Sequence, residues 1–197
     1  MNTFRHYLAL VYLVTVPPGV LMWLLVHPWI RFWRRVGVRG TYAVILVLSW
    51  AGAVGLWLVR RRLLGVDLGT NWPLLILGVV CVAVGGWLRG RLHRHFSNRQ
   101  LFGVPELAPG QSPQRLVTEG LHAHVRHPRY LQFLLVVAGI ALIANHLALY
   151  AMLAALVPGL WLVVVLEERE LRDRFGPAYA EYSRRVPRFI PRWRGGA

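Results

Sequence analysis

The sequence predicts an all-α integral membrane protein of about five transmembrane helices, the last two forming a tight helical hairpin. Three observations carry this. Apolar residues fill 56% of the 197 positions and only 16% are charged, against about a quarter in soluble domains. Residues 4–26, 41–59, 72–88 and 147–166 are apolar runs that each approach the ~20 residues needed to cross a bilayer as helix. The basic residues are sorted by loop rather than scattered.

The first span, residues 4–26, is longer than a secretory h-region and lacks a small-residue cleavage site, so it reads as a retained helix. Pro17-Pro18 inside it, and Pro158-Gly159 inside the last span, predict kinks. Residues 27–40 read as a basic connection to the second span. The third span, 72–88, holds Cys81, a small apolar residue here. It has no second cysteine to pair with and no Cys/His cluster for a metal. Residues 89–99 extend this helix as an amphipathic interfacial piece, and 103–113 read as loop from their Gly, Pro and Ser. Residues 131–144 form a short helix of roughly 21 Å that barely crosses, and a four-span arrangement with this helix re-entrant is the alternative. Asn145-His146 turn the hairpin. The last helix continues through Glu167 and Arg174 to Phe175 and stops at Gly176-Pro177. An aromatic, Pro-rich tail from Tyr179 to Trp193 then folds back as a lid or lies among headgroups.

The net charge of +15 invites a nucleic-acid reading, and its distribution excludes one. All 23 basic residues are Arg. Five spans put all but Arg5, Arg60, Arg61 and Arg62 on one side, leaving 19 there. By the positive-inside rule that side is cytoplasmic, so the N-terminus lies outside and the C-terminus inside. The Arg-rich face suits anionic lipid headgroups, and the partners expected are membrane lipids, with no nucleic acid. The absence of Lys beside abundant Ala, Gly, Val and Arg points to a GC-rich bacterial genome, hence an inner-membrane location.

Residues 1–88 form a three-span scaffold with little chemistry, and 89–197 hold a cofactor-binding half of the same membrane domain. Seven of the eight acidic residues fall in the second half. The most informative feature is His124-Val125-Arg126-His127-Pro128-Arg129-Tyr130, followed one hairpin later by Glu167-Glu168. Ionisable groups at the mouths of a membrane hairpin are costly to desolvate and mark a functional site. Pro128 suits the first turn of a helix. Arg126 and His127 then sit at its N-terminal entrance, where free N–H groups favour an anion. A charged small molecule is the ligand this predicts. A plain interfacial ion pair between Arg126 and Glu167 or Glu168 is the competing structural reading. His124 reads as a solvated loop residue. His6, His27, His93, His95 and His146 read as interfacial, and Glu170, Asp173 and Glu181 as a solvated face, with a Glu170–Arg174 pair at helical spacing.

Larger patterns carry a resemblance. Leu116-Val117-Thr118-Glu119-Gly120, the Val125-Arg126-His127-Pro128-x-Tyr130-Leu131 block and Glu167-Glu168-x-x-Leu171-x-x-x-Phe175-Gly176-x-x-Tyr179-x-x-Tyr182 stand in order. Val186-Pro187-Arg188-Phe189-Ile190-Pro191 follows them. Together they resemble the isoprenylcysteine carboxyl methyltransferase family and phospholipid methyltransferase-like integral membrane methyltransferases, over residues 95–193. The resemblance implies a methyl transferase that uses S-adenosyl-L-methionine. It implies cofactor-binding residues Gly120, His122, Val125, Arg126, His127, Pro128, Tyr130, Glu167 and Glu168. Arg126 and the helix N-terminus suit the donor's carboxylate, and Glu167 or Glu168 its ammonium or ribose. His122, His127 and Tyr130 suit the adenine. Glu167 and Arg174 are candidates for positioning the acceptor. No nucleophilic side chain is assigned, because displacement at an activated methyl needs chiefly alignment and exclusion of water. Gly120-Leu121-His122 stands where the family usually has Gly-Pro-Tyr, a departure that bears on the acceptor.

Two alternatives remain at this level: a sterol-reductase-like membrane oxidoreductase using NADPH, and a non-catalytic lipid-binding protein. The expected acceptor is lipophilic or membrane-embedded, an isoprenylcysteine-like carboxylate, a lipid amine or a thiol.

Overall fold

A computed structural model describes residues 2–26, 28–93 and 116–191. It contains α1 (Asn2–Val26), α2 (Ile30–Leu63), α3 (Trp72–His93), a 3-10 turn (Gly120–Ala123), α4 (Pro128–Ala144), α5 (Leu147–Phe175) and α6 (Pro177–Arg185). Among the described residues the only extended pairing is one isolated bridge between Asp67 and His146. Helices α1, α2, α3 and α5 are long and apolar enough to cross a membrane, whereas α4 is apolar but has 17 residues. This is the build of an integral membrane protein. The proposed continuation of α3 to Arg99, the 103–113 loop and the tail from residue 192 lie outside the described residues.

One expectation needs correction. The basic stretch from residue 30 to 40 is not a loop: helix starts at Ile30 and runs to Leu63. The break is a single residue, Gly37, whose φ of 80° and ψ of 166° lie where only glycine is unstrained. Arg60 to Arg62 therefore form the last turn of α2 rather than a loop. Helix also continues through Pro17-Pro18 and through Pro158. Beside the first pair lies an apolar crevice of about 160 Å³ between α1 and α2, lined by Pro17, Pro18, Leu21, Trp33 and Leu56 among others.

The hairpin forms as its sequence dictates. Pro128 is the first helical residue of α4, where its missing N–H costs nothing. Asn145 ends α4 in the left-handed region, with φ 52° and ψ 50°, a conformation that Asn tolerates better than most residues. Gly176, at φ 51°, divides α5 from α6, and Pro177 opens α6. Helix α3 packs along α4 more extensively than any other pair. Glycines make that approach close. A Cβ on Gly78 would lie 2.6 Å from the Gly139 carbonyl oxygen, and one on Gly85 would lie 2.6 Å from a Val136 methyl. Dispersion and shape, not hydrophobicity, favour such contacts between helices in lipid. Ala9, Tyr12 and Leu13 of α1 join Val137, Ala141, Leu149, Leu156, Leu160 and Val163 in the core.

One end of the bundle is tied by a polar knot that sequence reading missed. Arg5, which the sequence reading only counted among four arginines on the outer side, is 1% exposed. Its guanidinium donates to the Ala144 carbonyl at 2.8 and 3.1 Å, to Thr70 Oγ1 at 3.3 Å, and to Asp67. Asn145 donates to the Gly69 carbonyl at 2.9 Å and accepts from the Tyr150 hydroxyl at 2.8 Å. Backbone bonds from Leu68 to Asn145 and from Leu147 to Val66 complete it. His146, read as interfacial, is buried beside the His6 ring. A buried arginine needs this many acceptors, and the α4 terminus supplies carbonyls that no helical N–H can satisfy.

Candidate functional site

The other end gathers the polar residues of α4, α5 and the chain after α6. Glu168 is the centre and is 1% exposed. Arg126 donates to its Oε1 from Nη2 at 2.6 Å and Nε at 3.0 Å. His127 Nε2 lies 3.2 Å from the same oxygen. Arg188 donates to Oε2 from Nη2 at 2.8 Å and Nε at 3.1 Å, and Arg172 reaches Oε2 at 3.4 Å. Three arginines therefore meet on one carboxylate. Hydrogen bonding to Glu168 is the first cause that pushes the Arg188 guanidinium above its ordinary value.

The chain after α6 crosses this cluster as a strap. The Arg126 N–H donates to the Pro187 carbonyl at 2.8 Å and the His127 N–H to the Arg188 carbonyl at 3.0 Å. Arg126 Nη1 donates to the carbonyls of Ser183 at 2.7 Å and Val186 at 2.6 Å. The Arg126 side chain is thus wholly engaged with Glu168 and the strap. Tyr182 of α6 donates its hydroxyl to the His122 carbonyl at 2.7 Å and so holds the 3-10 turn in place. Burial pushes the Tyr179 and Tyr182 phenols up to about 12, and the charge of Glu168 adds to the effect at Tyr179. Burial also pushes His122 down to about 4, against the opposing hydrogen bond from its Nδ1 to the Arg126 carbonyl at 3.1 Å. Its ring is therefore neutral at neutral pH.

Glu167, one residue earlier on α5, faces a different wall. His127 Nδ1 lies 3.7 Å from its Oε2, so the imidazole stands between the two carboxylates. The buried Tyr130 hydroxyl lies near enough to Glu167 to feel its charge. Tyr130 meets Trp23 of α1 edge-to-face at 5.1 Å. The Arg129 guanidinium stands 4.5 Å over Trp23 and 5.4 Å over Tyr130. On the strap side, Phe189 lies 6.0 Å from His127 and 6.2 Å from Trp161, with Arg188 4.9 Å over Trp161. Glu167 is 22% exposed, so the site opens on its side.

Most residues singled out in the sequence thus meet. Arg126, His127, Tyr130, Glu167 and Glu168 form one constellation although the chain separates the two groups by the whole hairpin. Val125 and Pro128 are buried behind them. Gly120, at φ 61°, opens the 3-10 turn that carries His122. His124 is exposed, as expected. Arg174 is not brought in: it pairs with Glu170 at 2.7 Å, which also takes Arg34 of α2 at 2.9 Å. Glu170 is accordingly not a solvated residue, while Asp173 and Glu181 are exposed. Sequence reading did not single out Arg172 or Trp23, and it valued Arg188 only as part of the tail pattern. Among the described residues no group of His, Cys, Asp and Glu could hold a metal.

The phospholipid methyltransferase family profile matches residues 73–178, from the start of α3 into α6. Methanethiol S-methyltransferase 1 of Bradyrhizobium diazoefficiens is 31% identical over 173 residues, 84% of this chain and 58% of that protein. Methanethiol S-methyltransferase 2 of the same organism is 30% identical over 181 residues, 83% of this chain and 63% of that protein. Protein-S-isoprenylcysteine O-methyltransferase of Schizosaccharomyces pombe is 35% identical over 80 residues, 39% of this chain and 33% of that protein. The chain thus spans about six-tenths of the length of the two methanethiol enzymes. No solved structure matches. The matched stretch takes in α3, the α4–α5 hairpin and all the site residues on them, and it covers more than half of the sequence: the chain belongs to the phospholipid methyltransferase family.

Proposed function

We propose that the protein is a membrane methyltransferase that uses S-adenosyl-L-methionine and methylates a lipophilic or membrane-embedded acceptor. The observation that carries this reading is the convergence of Glu167, Glu168, His127 and Tyr130 beneath a strap, at the mouth of an apolar hairpin. The donor carries a carboxylate, an ammonium and an aromatic base, and the residues present fit all three. Glu167, the carboxylate that the arginines do not occupy, suits the ammonium. The first turn of α4, whose N–H groups have no helical partner, suits the carboxylate. His127, Phe189 and Trp161 offer flat faces to the adenine. Arg126 acts on the donor through Glu168 and the strap rather than directly. When bound, the donor supplies an electrophilic methyl; the protein's share is alignment and exclusion of water.

The related proteins named above act on methanethiol or on isoprenylcysteine. A small or lipophilic acceptor beside a water-soluble donor fits a site between a dry hairpin and a wet strap. We assign the donor to the cytoplasmic side, with lateral entry for the acceptor. The Arg34–Glu170 pair supports this sidedness, because it holds the basic start of α2 beside the outgoing end of α5. The test is ligand-induced stabilisation of the full chain in detergent. S-adenosylhomocysteine should raise its unfolding temperature and NADPH should not. Stabilisation by NADPH alone would turn the reading toward a reductase, and stabilisation by neither toward a lipid-binding role.

A further inference from the structure

Helix α2 is the least supported of the long helices. It packs extensively on α1 alone, and its most apolar stretch contains no buried residue. The polar ties that seat it lie at its start.

That start has two faces. Trp29 precedes the helix, and Phe32, Trp33 and Val36 continue the same side at helical spacing. Trp29, Phe32 and Val36 are exposed. Arg31 and Arg35 stand on the opposite side, and Arg34 reaches sideways to Glu170 of α5. The Trp33 indole N–H donates to the Leu25 carbonyl at 3.0 Å, one of those that the end of α1 leaves without a helical donor. The segment therefore lies across the end of α1, with its apolar side toward the spans and its arginines away from them. Gly37 then breaks the helix, and the Thr41 hydroxyl donates to the Gly37 carbonyl at 2.8 Å. Arg31, Arg35 and Arg39 are exposed and have no partner among the described residues. No acidic residue occurs anywhere in α2 to balance them.

Trp33 also lines the crevice of about 160 Å³ between α1 and α2. The crevice runs from Leu25 and Val44, near the basic segment, to Pro17, Pro18 and Gly52, deeper along the two helices. Apart from Ser49 and the engaged Trp33 N–H its lining is apolar. Such a lining offers water no partners and suits an acyl chain. The crevice is separate from the site at Glu167. Trp23 of α1 turns to Tyr130, whereas Leu21 and Leu25 turn to α2, so α1 stands between the two.

We propose that the start of α2 and this crevice together hold one anionic phospholipid. Its phosphate meets Arg31, Arg35 and Arg39, and part of an acyl chain fills the crevice. Arginine stems can lie along apolar surface while their heads reach the headgroup level. Charge selects the lipid class. A choline headgroup would carry a cation in among three arginines, whereas a glycerol headgroup leaves the phosphate's charge uncompensated and available to them. The lipid is resident rather than a methyl acceptor, because α1 divides it from the site. By seating the segment that carries Arg34, it also holds α2 against α5.

The test is lipid binding by the full chain, freed of lipid in detergent and titrated with phosphatidylglycerol or phosphatidylcholine of the same acyl chains. Native mass spectrometry counts the lipids retained, and thermal unfolding reads their effect. Wild type should keep one phosphatidylglycerol, bound roughly tenfold or more tighter than phosphatidylcholine, and its unfolding temperature should rise with it. Combined Arg31→Gln, Arg35→Gln and Arg39→Gln should bring phosphatidylglycerol down to the level of phosphatidylcholine and remove the thermal gain. Arg61→Gln with Arg62→Gln, at the far end of α2, should leave the preference intact. Ser49→Leu, which fills the crevice and spares the arginines, should weaken both lipids. Glycerol 3-phosphate, a headgroup without chains, should not displace the lipid at the same concentration. Equal retention of the two lipids by wild type would overturn the proposal. So would a preference that survives the triple substitution, or one lost equally with Arg61 and Arg62. Displacement by glycerol 3-phosphate would make the arginines a site for soluble anions instead. A dimer whose formation excludes phosphatidylglycerol would give the face to a second copy of the chain, and either result would refute the lipid site.

Discussion

Replacing Glu168 with Gln tests the architecture of the site more directly than any other substitution. The carboxylate accepts from Arg126, His127, Arg188 and Arg172. The amide keeps one oxygen, which can stay with Arg126 and His127. Its NH2 must then point at Arg188, where two donors face each other and the bidentate pair is lost. A hydrogen bond to a charged group is worth about 1.5–3 kcal/mol, and breaking a buried ion pair typically costs 3–5 kcal/mol. Arg188 is partly open to water and can be rehydrated, so a loss of about 3 kcal/mol is expected. The strap should loosen with it. Trypsin should cleave at Arg184, Arg185 or Arg188 faster in the variant, and S-adenosylhomocysteine should bind more weakly. Denaturant unfolding in detergent measures the first effect and timed digestion the second. A double-mutant cycle with Arg126→Gln should show coupling well above the ~0.5 kcal/mol of independent sites. Unchanged stability with an unchanged digestion rate would refute the view that Glu168 holds the strap.

Three further outcomes follow from the fold. Gly78→Ala or Gly85→Ala should destabilise the bundle by about 1–3 kcal/mol through overpacking of α3 against α4, whereas Gly86→Ala, with open space around it, should not; equal unfolding curves for all three would contradict the close approach. His122, held near 4 by burial, binds protons more readily when unfolded, so its contribution is complete above its ordinary pKa of about 6.5. That contribution should shrink as pH falls from there toward 4, by at most about 1.4 kcal/mol per pH unit; His122→Gln should flatten this stretch of the stability profile. Reporter fusions after Pro191 and within residues 64–71 should report opposite sides of the membrane, and a shared side would overturn the proposed orientation.

Much of this was legible because local chemistry decides it. Pro128, Asn145 and Gly176-Pro177 fix the ends of α4 and α5 by rules that act within a few residues. The meeting of Arg126 with Glu168 was legible because costly charges at both mouths of one hairpin must find partners. The break at Gly37 was not. A basic, aromatic run from Trp29 to Arg39 reads equally as loop or interfacial helix, and only the packing of Trp33 and Arg34 on their neighbours decides. The engagement of Arg126 was hidden for another reason. Its partners beyond Glu168 are backbone carbonyls of Ser183 and Val186, which any sequence could supply. The burial of Arg5 was not legible because its partners, Asp67, Thr70 and the Ala144 carbonyl, lie far along the chain and only the fold brings them to it.

The polar knot and the strap answer the same difficulty, which is the length of α4. Seventeen residues rise about 26 Å, less than the ~30 Å of hydrocarbon in a typical bilayer. Both ends of α4 are therefore drawn toward depths where unpaired polar groups are costly. At one end Arg5 and the 64–71 segment supply donors to the orphan carbonyls of Ala144 and Asn145. At the other the strap occupies the backbone N–H groups of Arg126 and His127, just ahead of the helix. Only the first turn of α4, beside Glu167, keeps N–H groups that the helix itself cannot satisfy. A helix too short for the membrane thus leaves one mouth open between the wet strap and the apolar interior, which is the meeting point that the methyl transfer proposed above requires.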